Sequence, residues 1–184
     1  MIQVSEVQKT APSVFQTELQ QKVYETLETL GIPFERVDTE EAITMEDCIA
    51  IDARLDMKTV KTLFLCNRQQ TEFYLLIMPG EKTFRTKDFS KTMGISRVSF
   101  APQERMEELL GTKIGATTVF SCLLERSRNV HIVFDKEVLR EEWYGCSDGT
   151  TTGYMKIRME DLCRKVLPYT GREAVYLDVP CQEA

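Results

Sequence analysis

The sequence predicts a single α+β domain, and three observations support this fold class. The chain has 184 residues, 42% of them hydrophobic, which is enough for one substantial core. Helical and strand-like stretches follow one another without a regular strand-helix-strand rhythm, which argues against a doubly wound sheet. Two apolar runs near the middle, 60–66 and 73–78, flank a short polar turn and indicate an antiparallel hairpin.

The first elements follow from apolar spacing and end signals. Apolar residues at helical spacing from Val14 to Leu30 predict the first helix, which Gly31-Ile32-Pro33 ends. Residues 34–37 alternate as a short strand. A threonine cap and an acidic first turn predict a second helix over residues 44–53. The hairpin follows and ends at Pro79-Gly80.

Seven further elements are expected after the hairpin. Three are helices, over residues 86–93, 102–110 and 160–167, and four are strands, over residues 97–100, 118–124, 129–134 and 154–158. Gly94 and Gly111 follow the first two of these helices, and glycine is a common helix end signal. Strands 118–124 and 129–134 are expected to pair with each other. We place the domain at 14–180 and expect loosely ordered termini at 1–13 and 181–184.

Composition excludes several classes of protein. No stretch approaches the roughly 18 apolar residues of a membrane span, and the polar N-terminus lacks the pattern of a signal peptide. We therefore expect a cytoplasmic protein. Six scattered cysteines without a Cys-x-x-Cys pair are typical of reduced core thiols. Because His131 is the sole histidine, a histidine-based metal centre is not expected.

The net charge of −6 is unevenly distributed. Residues 1–57 hold four Lys or Arg against twelve Asp or Glu, whereas residues 58–97 hold eight against three. This basic segment, residues 58–97, could form a phosphate-facing surface, because the local field depends on nearby charges more than on the total. An ordinary solvated helix face is the alternative, especially for Lys87 and Lys91, which are four residues apart.

Lys61 opens the first apolar run of the hairpin, directly after Val60. Lysine is seldom fully buried unless an anion meets it. Lys61 is therefore either a strand-end residue whose ammonium reaches water over its apolar stem or a group that awaits an anionic ligand.

Six segments, in order, carry a resemblance to a known family: 27–37, 60–65, 78–82, 98–101, 108–111 and 142–145. Together they resemble the YbaK/ProX family of aminoacyl-tRNA editing domains. The similarity is greatest to the free-standing branch that removes alanine from proline tRNA. The resemblance implies a compact domain around a mixed, largely antiparallel sheet flanked by helices. It also implies mischarged tRNA as the partner, with prolyl-tRNA synthetase as a further candidate, and no cofactor, metal, DNA or membrane.

The resemblance also assigns the site. It makes Lys61 and Gly115 catalytic and assigns substrate contacts to Thr62, Ala116, Thr117, Thr118, Val119, Ser147 and Thr150. With the basic segment, it gives Lys82, Arg85 and Lys87 as tRNA-facing residues.

The sequence departs from the family pattern in three places, which involve four residues. Thr62 stands where asparagine is common, Val119 replaces the proline of a Gly-x-x-x-Pro loop, and Ser147-Asp148 replaces a His-Pro pair. These changes predict either a pocket that accepts a broader range of small amino acids or a domain that has lost its activity.

Residue types support this assignment. The ammonium of Lys61 can meet tRNA phosphate or ribose oxygens or polarise the ester carbonyl. Gly115 can bring backbone N–H groups to that carbonyl, although an ordinary turn is the alternative there. Asp148-Gly149 is a common tight-turn signal, but the hydroxyls of Ser147 and Thr150 to Thr152 could instead bind substrate.

Cysteine catalysis is not expected. Cys122 and Cys146 lack a second-site histidine, and His131 has the neighbours of a strand residue. Two functions remain open: a deacylase for alanyl-tRNA(Pro) or another small aminoacyl-tRNA, and an editing-fold module that binds a tRNA 3′ end or a small metabolite without turnover.

Overall fold

A computed structural model describes residues 1–181 and confirms the α+β class. The larger sheet has the strand order β4-β2-β3-β5-β8. Its strands are β2 Val60–Cys66, β3 Phe73–Pro79, β4 Ser99–Phe100, β5 His131–Asp135 and β8 Ala174–Leu177. β2 pairs antiparallel with β3 and β4, whereas β3–β5 and β5–β8 are parallel. The expected β2–β3 hairpin is therefore confirmed, and the sheet is mixed.

The remaining strands form a second, antiparallel sheet with the order β1-β7-β6. They are β1 Glu35–Asp38, β6 Trp143–Ser147 and β7 Gly153–Arg158. A bridge between Thr59 and Gly145 joins the two sheets. A side chain at Gly145 would place its Cβ 2.5 Å from the Met57 sulfur, so the Met57 side chain would have to move. The strands therefore lie in two linked sheets rather than in the single sheet that was expected.

The helices pack on these sheets. They are α1 Glu18–Thr29, α2 Cys48–Leu55, α3 Thr86–Met93, α4 Gln103–Leu110, and the short α5 Met159–Asp161 and α6 Leu167–Thr170, joined by a π-helical turn at Leu162–Val166. α1 begins later than predicted because the Thr17 side chain caps it by accepting from Gln20 N–H. None of the helices within residues 1–181 is long and apolar enough to cross a bilayer.

Residues 118–124 do not form the expected strand. Val119–Leu123 is a 3-10 helix, and the Thr118 hydroxyl caps it by accepting from Phe120 N–H. Val119 and Phe120 are buried, so the apolar run signals burial rather than strand pairing. The prediction that β5 pairs with this run was wrong, because β5 lies between β3 and β8. Strands β6 and β8 were not predicted.

Alternate residues of β2 belong to different cores. Val60 and Phe64 lie in the cluster that includes α1, while Leu65 lies in the cluster beneath α3. Because side chains alternate along a strand, Lys61 and Leu63 lie on the same face of β2 as Leu65. Thr62 lies on the other face, with Val60 and Phe64. β2 is therefore covered on both faces.

The N-terminal segment follows β1 rather than being loose. Ser5 N–H donates to Asp38 O and Gln8 N–H to Arg36 O, each at 2.8 Å. The buried Arg36 side chain donates from Nε to Thr10 O at 2.6 Å. Residues 1–13 thus belong to the packed domain. Of the expected loose C-terminal tail, residues 182–184 lie outside the described part of the chain.

Candidate active site

A cavity of about 200 Å³ lies at the beginning of β2. Four parts of the chain enclose it: the segment that leads into α2, the first half of β2, the loop at Gly115, and the β6–β7 hairpin. Its lining residues are Ile43, Thr44, Met45, Cys48, Thr59, Val60, Lys61, Thr62, Leu63, Gly115, Thr117, Cys146, Ser147 and Tyr154.

The cavity lies along the unpaired edge of β2. β4 pairs only with Leu65 and Cys66 of β2, so no described strand pairs with the same edge of β2 between Val60 and Leu63. Main-chain groups at an unpaired edge are available to other partners. Residues from both faces of β2 can therefore line the cavity.

Lys61 is partly buried, and its ammonium is held by the backbone. Nζ donates to the carbonyl oxygen of Lys82 at 2.6 Å. Within residues 1–181, no carboxylate lies within 4 Å of this nitrogen. Burial lowers the pKa of Lys61 below its ordinary value. The side chain thus presents a cation without an acidic partner.

Thr62, beside Lys61, carries a polar atom without a partner. Its hydroxyl is buried and makes no hydrogen bond within the described chain. An unsatisfied buried hydroxyl is unfavourable. Thr62 also lines the cavity, but this oxygen itself is almost inaccessible to solvent.

The Gly115 loop forms another part of the lining, close to Ile43. Gly115 has φ +90°, and a Cβ there would lie 2.8 Å from Ile43 Cα, so both conformation and space require glycine. Tyr154 OH donates to Ala42 O at 2.8 Å and lies 3.2 Å from Gly115 O. Within the described part of the chain, the N–H groups of Gly115 and Thr117 have no partner, whereas Ala116 N–H donates to Lys113 O.

A buried polar cluster lies behind the cavity. The Thr118 hydroxyl is 3.3 Å from Tyr144 OH and 3.2 Å from Cys146 Sγ. Val119 N–H donates to Tyr144 OH at 3.1 Å. Thr118 and Val119 thus connect the Gly115 loop to β6, but neither side chain lines the cavity. Ala116 does not line it either.

The β6–β7 turn uses its own hydroxyls. Ser147 Oγ donates to Thr150 O at 2.5 Å and accepts from Gly149 N–H at 3.0 Å. The Thr150 hydroxyl donates to Asp148 at 2.7 Å. Thr150 does not line the cavity, whereas Ser147 does. The turn interpretation thus accounts for the hydroxyls of Ser147 and Thr150.

Asp148 fastens this turn to α1. Its buried carboxylate accepts from Gln20 Nε2 at 3.0 Å and from Tyr24 OH at 2.8 Å. Burial and then the Asp148 charge raise the pKa of Tyr24. From the sequence, Asp148 was predicted only as a turn residue, because no local pattern indicates that α1 meets it.

The structure brings together five of the nine residues assigned to catalysis or substrate binding: Lys61, Thr62, Gly115, Thr117 and Ser147. The wall formed by residues 43–48 and by Tyr154 was not predicted from the sequence. Tyr154 lies 39 residues from Gly115, and no local pattern reports such a contact.

Besides the cation Lys61, the cavity lining contains three ionisable side chains, Cys48, Cys146 and Tyr154, and all three are neutral and protonated at neutral pH. Burial raises the pKa of Cys48 to about 11 and that of Cys146 to about 12, and it also raises the pKa of Tyr154. No histidine or carboxylate lines the cavity. His131 is exposed, pairs with Glu72 and stacks on Tyr74. The lining therefore offers donors and one cation, but no general base.

For the deacylation of mischarged tRNA that the family resemblance implies, Cys146→Ser should leave the rate within about threefold of the parent rate. The buried thiol stays protonated, and only a thiolate is an effective nucleophile. Serine also retains a donor for the Ser147 carbonyl, to which Cys146 Sγ donates at 3.0 Å. The rate constant for hydrolysis measures this. A loss of about 10³-fold with an unchanged unfolding midpoint would instead identify Cys146 as the nucleophile.

The three basic residues assigned to tRNA differ in placement. Arg85 and Lys87 are exposed at the start of α3, with Arg85 Nε 3.7 Å from Asp88. The Lys82 side chain is only 8% exposed, and its ammonium contacts Asp135 and Glu137. Lys82 is therefore not available to phosphates, because its charge is already neutralised. Within residues 1–181, no cluster of His, Cys, Asp or Glu could hold a metal.

Comparison with known proteins places the chain in a family. The sequence model of the aminoacyl-tRNA editing domain matches residues 39–165. The chain therefore belongs to the aminoacyl-tRNA editing domain family, which confirms the resemblance that its motifs indicated.

Individual relatives are more distant. The prolyl-tRNA editing protein ProX of Acetoanaerobium sticklandii is 24% identical over 151 residues, covering 82% of this chain and 92% of that protein. The prolyl-tRNA synthetase associated domain-containing protein 1 of Danio rerio is 23% identical over 154 residues, covering 83% of each chain.

Solved structures share the fold. A crystal structure of a protein proposed as a trans-editing enzyme for prolyl tRNA synthetase aligns with a TM-score of 0.61 at 19% identity, covering 89% of this chain and 98% of that one. The hypothetical protein APE2540 aligns with a TM-score of 0.65 at 19% identity, covering 85% and 98%. The α+β fold class is therefore confirmed.

Proposed function

We propose that this protein hydrolyses the ester bond of a mischarged tRNA in trans, with alanyl-tRNA(Pro) or another small aminoacyl-tRNA as the substrate. The observation that carries the proposal is the small cavity lined both by Lys61, whose ammonium has no carboxylate partner, and by Gly115 and Thr117, whose N–H groups have no partner within residues 1–181. Family membership and the relatives named for prolyl-tRNA editing support the substrate class.

In this proposal, Lys61 holds the negative end of the substrate. Its ammonium lacks a carboxylate partner and so can meet a phosphate or ribose oxygen at the tRNA 3′ end. Partial burial strengthens such a contact relative to water. The aminoacyl group then extends into the cavity that Thr62, Gly115 and Thr117 line.

The Gly115 loop stabilises the charge that develops on the ester carbonyl. Water adds to the carbonyl carbon, and the bond to the ribose oxygen breaks, which releases the amino acid and leaves a hydroxyl on the tRNA. Unpaired N–H groups aimed at the developing oxyanion lower the barrier most when they are rigidly held. Tyr154 supports this rigidity by its contacts with Ala42 and Gly115.

The test is a deacylation panel on one tRNA(Pro) body charged with alanine, serine or a larger amino acid. Alanine should be removed fastest. Serine should be excluded only weakly, by about 10- to 200-fold at most, because a small pocket discriminates poorly against one added group. Alanyl-tRNA(Ala) reports whether the tRNA body is also read.

The panel also decides the alternative function. The loss of the family histidine, with Ser147 engaged in the turn, favours a domain that binds a tRNA end without turnover. Tight binding of tRNA(Pro) with no hydrolysis above the spontaneous rate for any amino acid would establish that module and reject the deacylase.

We predict that tRNA binding weakens as salt rises from about 50 to about 200 mM, because cation–phosphate contacts release counterions. Replacing Arg85 or Lys87 by glutamine should reduce the slope of log affinity against log salt concentration. The expected reduction is about one for each phosphate contact that is lost. Lys165→Gln, on the π-helical turn, is the matched control and should leave the slope unchanged. Binding that does not respond to salt would exclude the α3 surface from tRNA recognition.

A further inference from the structure

Three charged side chains form a cluster beside Lys61 that the proposed reaction does not use. Lys82 Nζ lies 2.7 Å from Asp135 Oδ2 and 2.5 Å from Glu137 Oε2. The Lys82 and Asp135 side chains are buried, and Glu137 is about half exposed. Burial alone would lower the pKa of Lys82, but hydrogen bonds to Asp135 and Glu137 raise it above its ordinary value. We call these three residues the charge clamp.

The charge clamp is connected to Lys61 through the main chain. Lys82 ends a turn in which its N–H donates to Pro79 O at 3.2 Å, and its carbonyl accepts from Lys61 Nζ at 2.6 Å. The same turn packs against the cavity wall, since a Cβ at Gly80 would lie 2.5 Å from Thr59 O. The side chain of Lys82 thus anchors the backbone that holds Lys61.

We propose that the charge clamp positions the Lys61 ammonium for deacylation, which makes Lys82 a positioning residue rather than a tRNA contact. This inference rests on the proposed function of Lys61. A lysine ammonium is a point charge on a flexible four-carbon stem, so a carbonyl fixed at 2.6 Å restricts where it can lie. Two carboxylates, from the end of β5 and the following 3-10 helix, hold the Lys82 ammonium and so restrain the residue whose carbonyl accepts from Lys61.

The test replaces the buried pair as a unit, with Lys82→Met and Asp135→Asn together. Removing Lys82 alone would leave a buried carboxylate unpaired and destabilise the fold. Asparagine keeps an oxygen for Glu137 N–H, which now donates to Asp135 Oδ1 at 3.1 Å. The matched control is Lys136→Met with Asp178→Asn, which removes an exposed ion pair of the same composition.

Single-turnover deacylation is measured with excess enzyme on the parent and Lys61→Ala backgrounds. We expect the clamp substitutions to lower the rate constant about tenfold on the parent background and not at all on Lys61→Ala. The control pair should change neither. This double-mutant cycle isolates the coupling between the clamp and Lys61. An equal loss of the rate constant on both backgrounds, or parent activity for the clamp variant, would overturn the positioning role.

A second readout does not depend on catalysis. NMR of the Lys61 side chain in the absence of tRNA should show an ordered ammonium in the parent and control proteins, and averaging of its signals in the clamp variant. Parent activity in Lys61→Ala would mean that the proposed function of Lys61 fails, and the NMR signal would then still test whether the charge clamp orders the ammonium. The NMR signal also tests the clamp if the Lys61→Ala protein is too slow for its rate to be measured. An unchanged Lys61 signal in a folded clamp variant would overturn the inference.

Discussion

Lys61→Ala is expected to lower the rate of deacylation by about 100-fold or more while leaving the protein folded. The substitution removes the one cationic side chain among the described residues that line the cavity, and electrostatic contacts to developing charge are commonly the largest catalytic contribution. The stability loss should be about 1 kcal/mol, because the ammonium makes one hydrogen bond, to Lys82 O. Single-turnover kinetics and thermal unfolding measure the two effects.

Lys61→Met is the sharper form of this experiment. Methionine keeps most of the apolar stem and removes only the charge, so its activity should fall as far as that of Lys61→Ala. Lys165→Met controls for the loss of one positive charge from the protein as a whole. Parent activity in either Lys61 variant would show that this lysine has no catalytic role.

The same cation predicts the alkaline side of the pH profile. Burial lowers the pKa of Lys61, so the ammonium is lost as pH rises through a value below that of an ordinary lysine. Activity above spontaneous hydrolysis should therefore decline before pH ~10.4. A decline that follows an ordinary lysine pKa would contradict the expected burial of the ammonium in the active enzyme.

Gly115→Ala is expected to have the second-largest effect, lowering kcat/KM by about tenfold or more and destabilising the fold by about 1–3 kcal/mol. Gly115 has φ +90°, and an added Cβ would lie 2.8 Å from Ile43 Cα. Either the loop or the segment at Ile43 must move, and both line the cavity. Chemical denaturation and steady-state kinetics on alanyl-tRNA(Pro) measure the result.

Gly31→Ala separates backbone strain from the close contact. Gly31 also has positive φ, +65°, but nothing lies within 4 Å of an added Cβ. Its replacement should therefore cost about 1 kcal/mol of stability and leave kcat/KM unchanged. If Gly115→Ala behaves like Gly31→Ala, the loop does not hold the substrate.

Elements with local signals were predictable. α3 ends at Met93 and is followed by Gly94 at φ +69°, and the β2–β3 hairpin pairs along its full length. In both cases the residues that decide the structure lie within the segment itself. The run 118–124 shows the limit of this reasoning, because an apolar run reports burial but does not distinguish a strand from a buried 3-10 helix.

The site was predictable only where one residue carries the signal. Lys61 stands out because a cation enters an apolar strand, and Gly115 because the family pattern keeps it. Lys82 was predicted to face tRNA because of its charge, whereas in the structure this charge pairs with Asp135, 53 residues away along the chain. A sequence reports the charge of a side chain but not the partner it meets after folding.

The sequence by itself determined the family, the α+β class and the identity of the two groups on which the proposed chemistry depends, Lys61 and Gly115. Only the tertiary structure decided that the strands form two sheets joined at Thr59 and Gly145, that Tyr154 lines the cavity, and that the Lys82 ammonium pairs with Asp135 while its carbonyl accepts from Lys61. The physical reason is the separation along the chain of the residues that interact. Helix caps, turns and strand alternation depend on residues that are close together in sequence. Cavity walls and buried ion pairs arise between segments that meet only when the chain has folded.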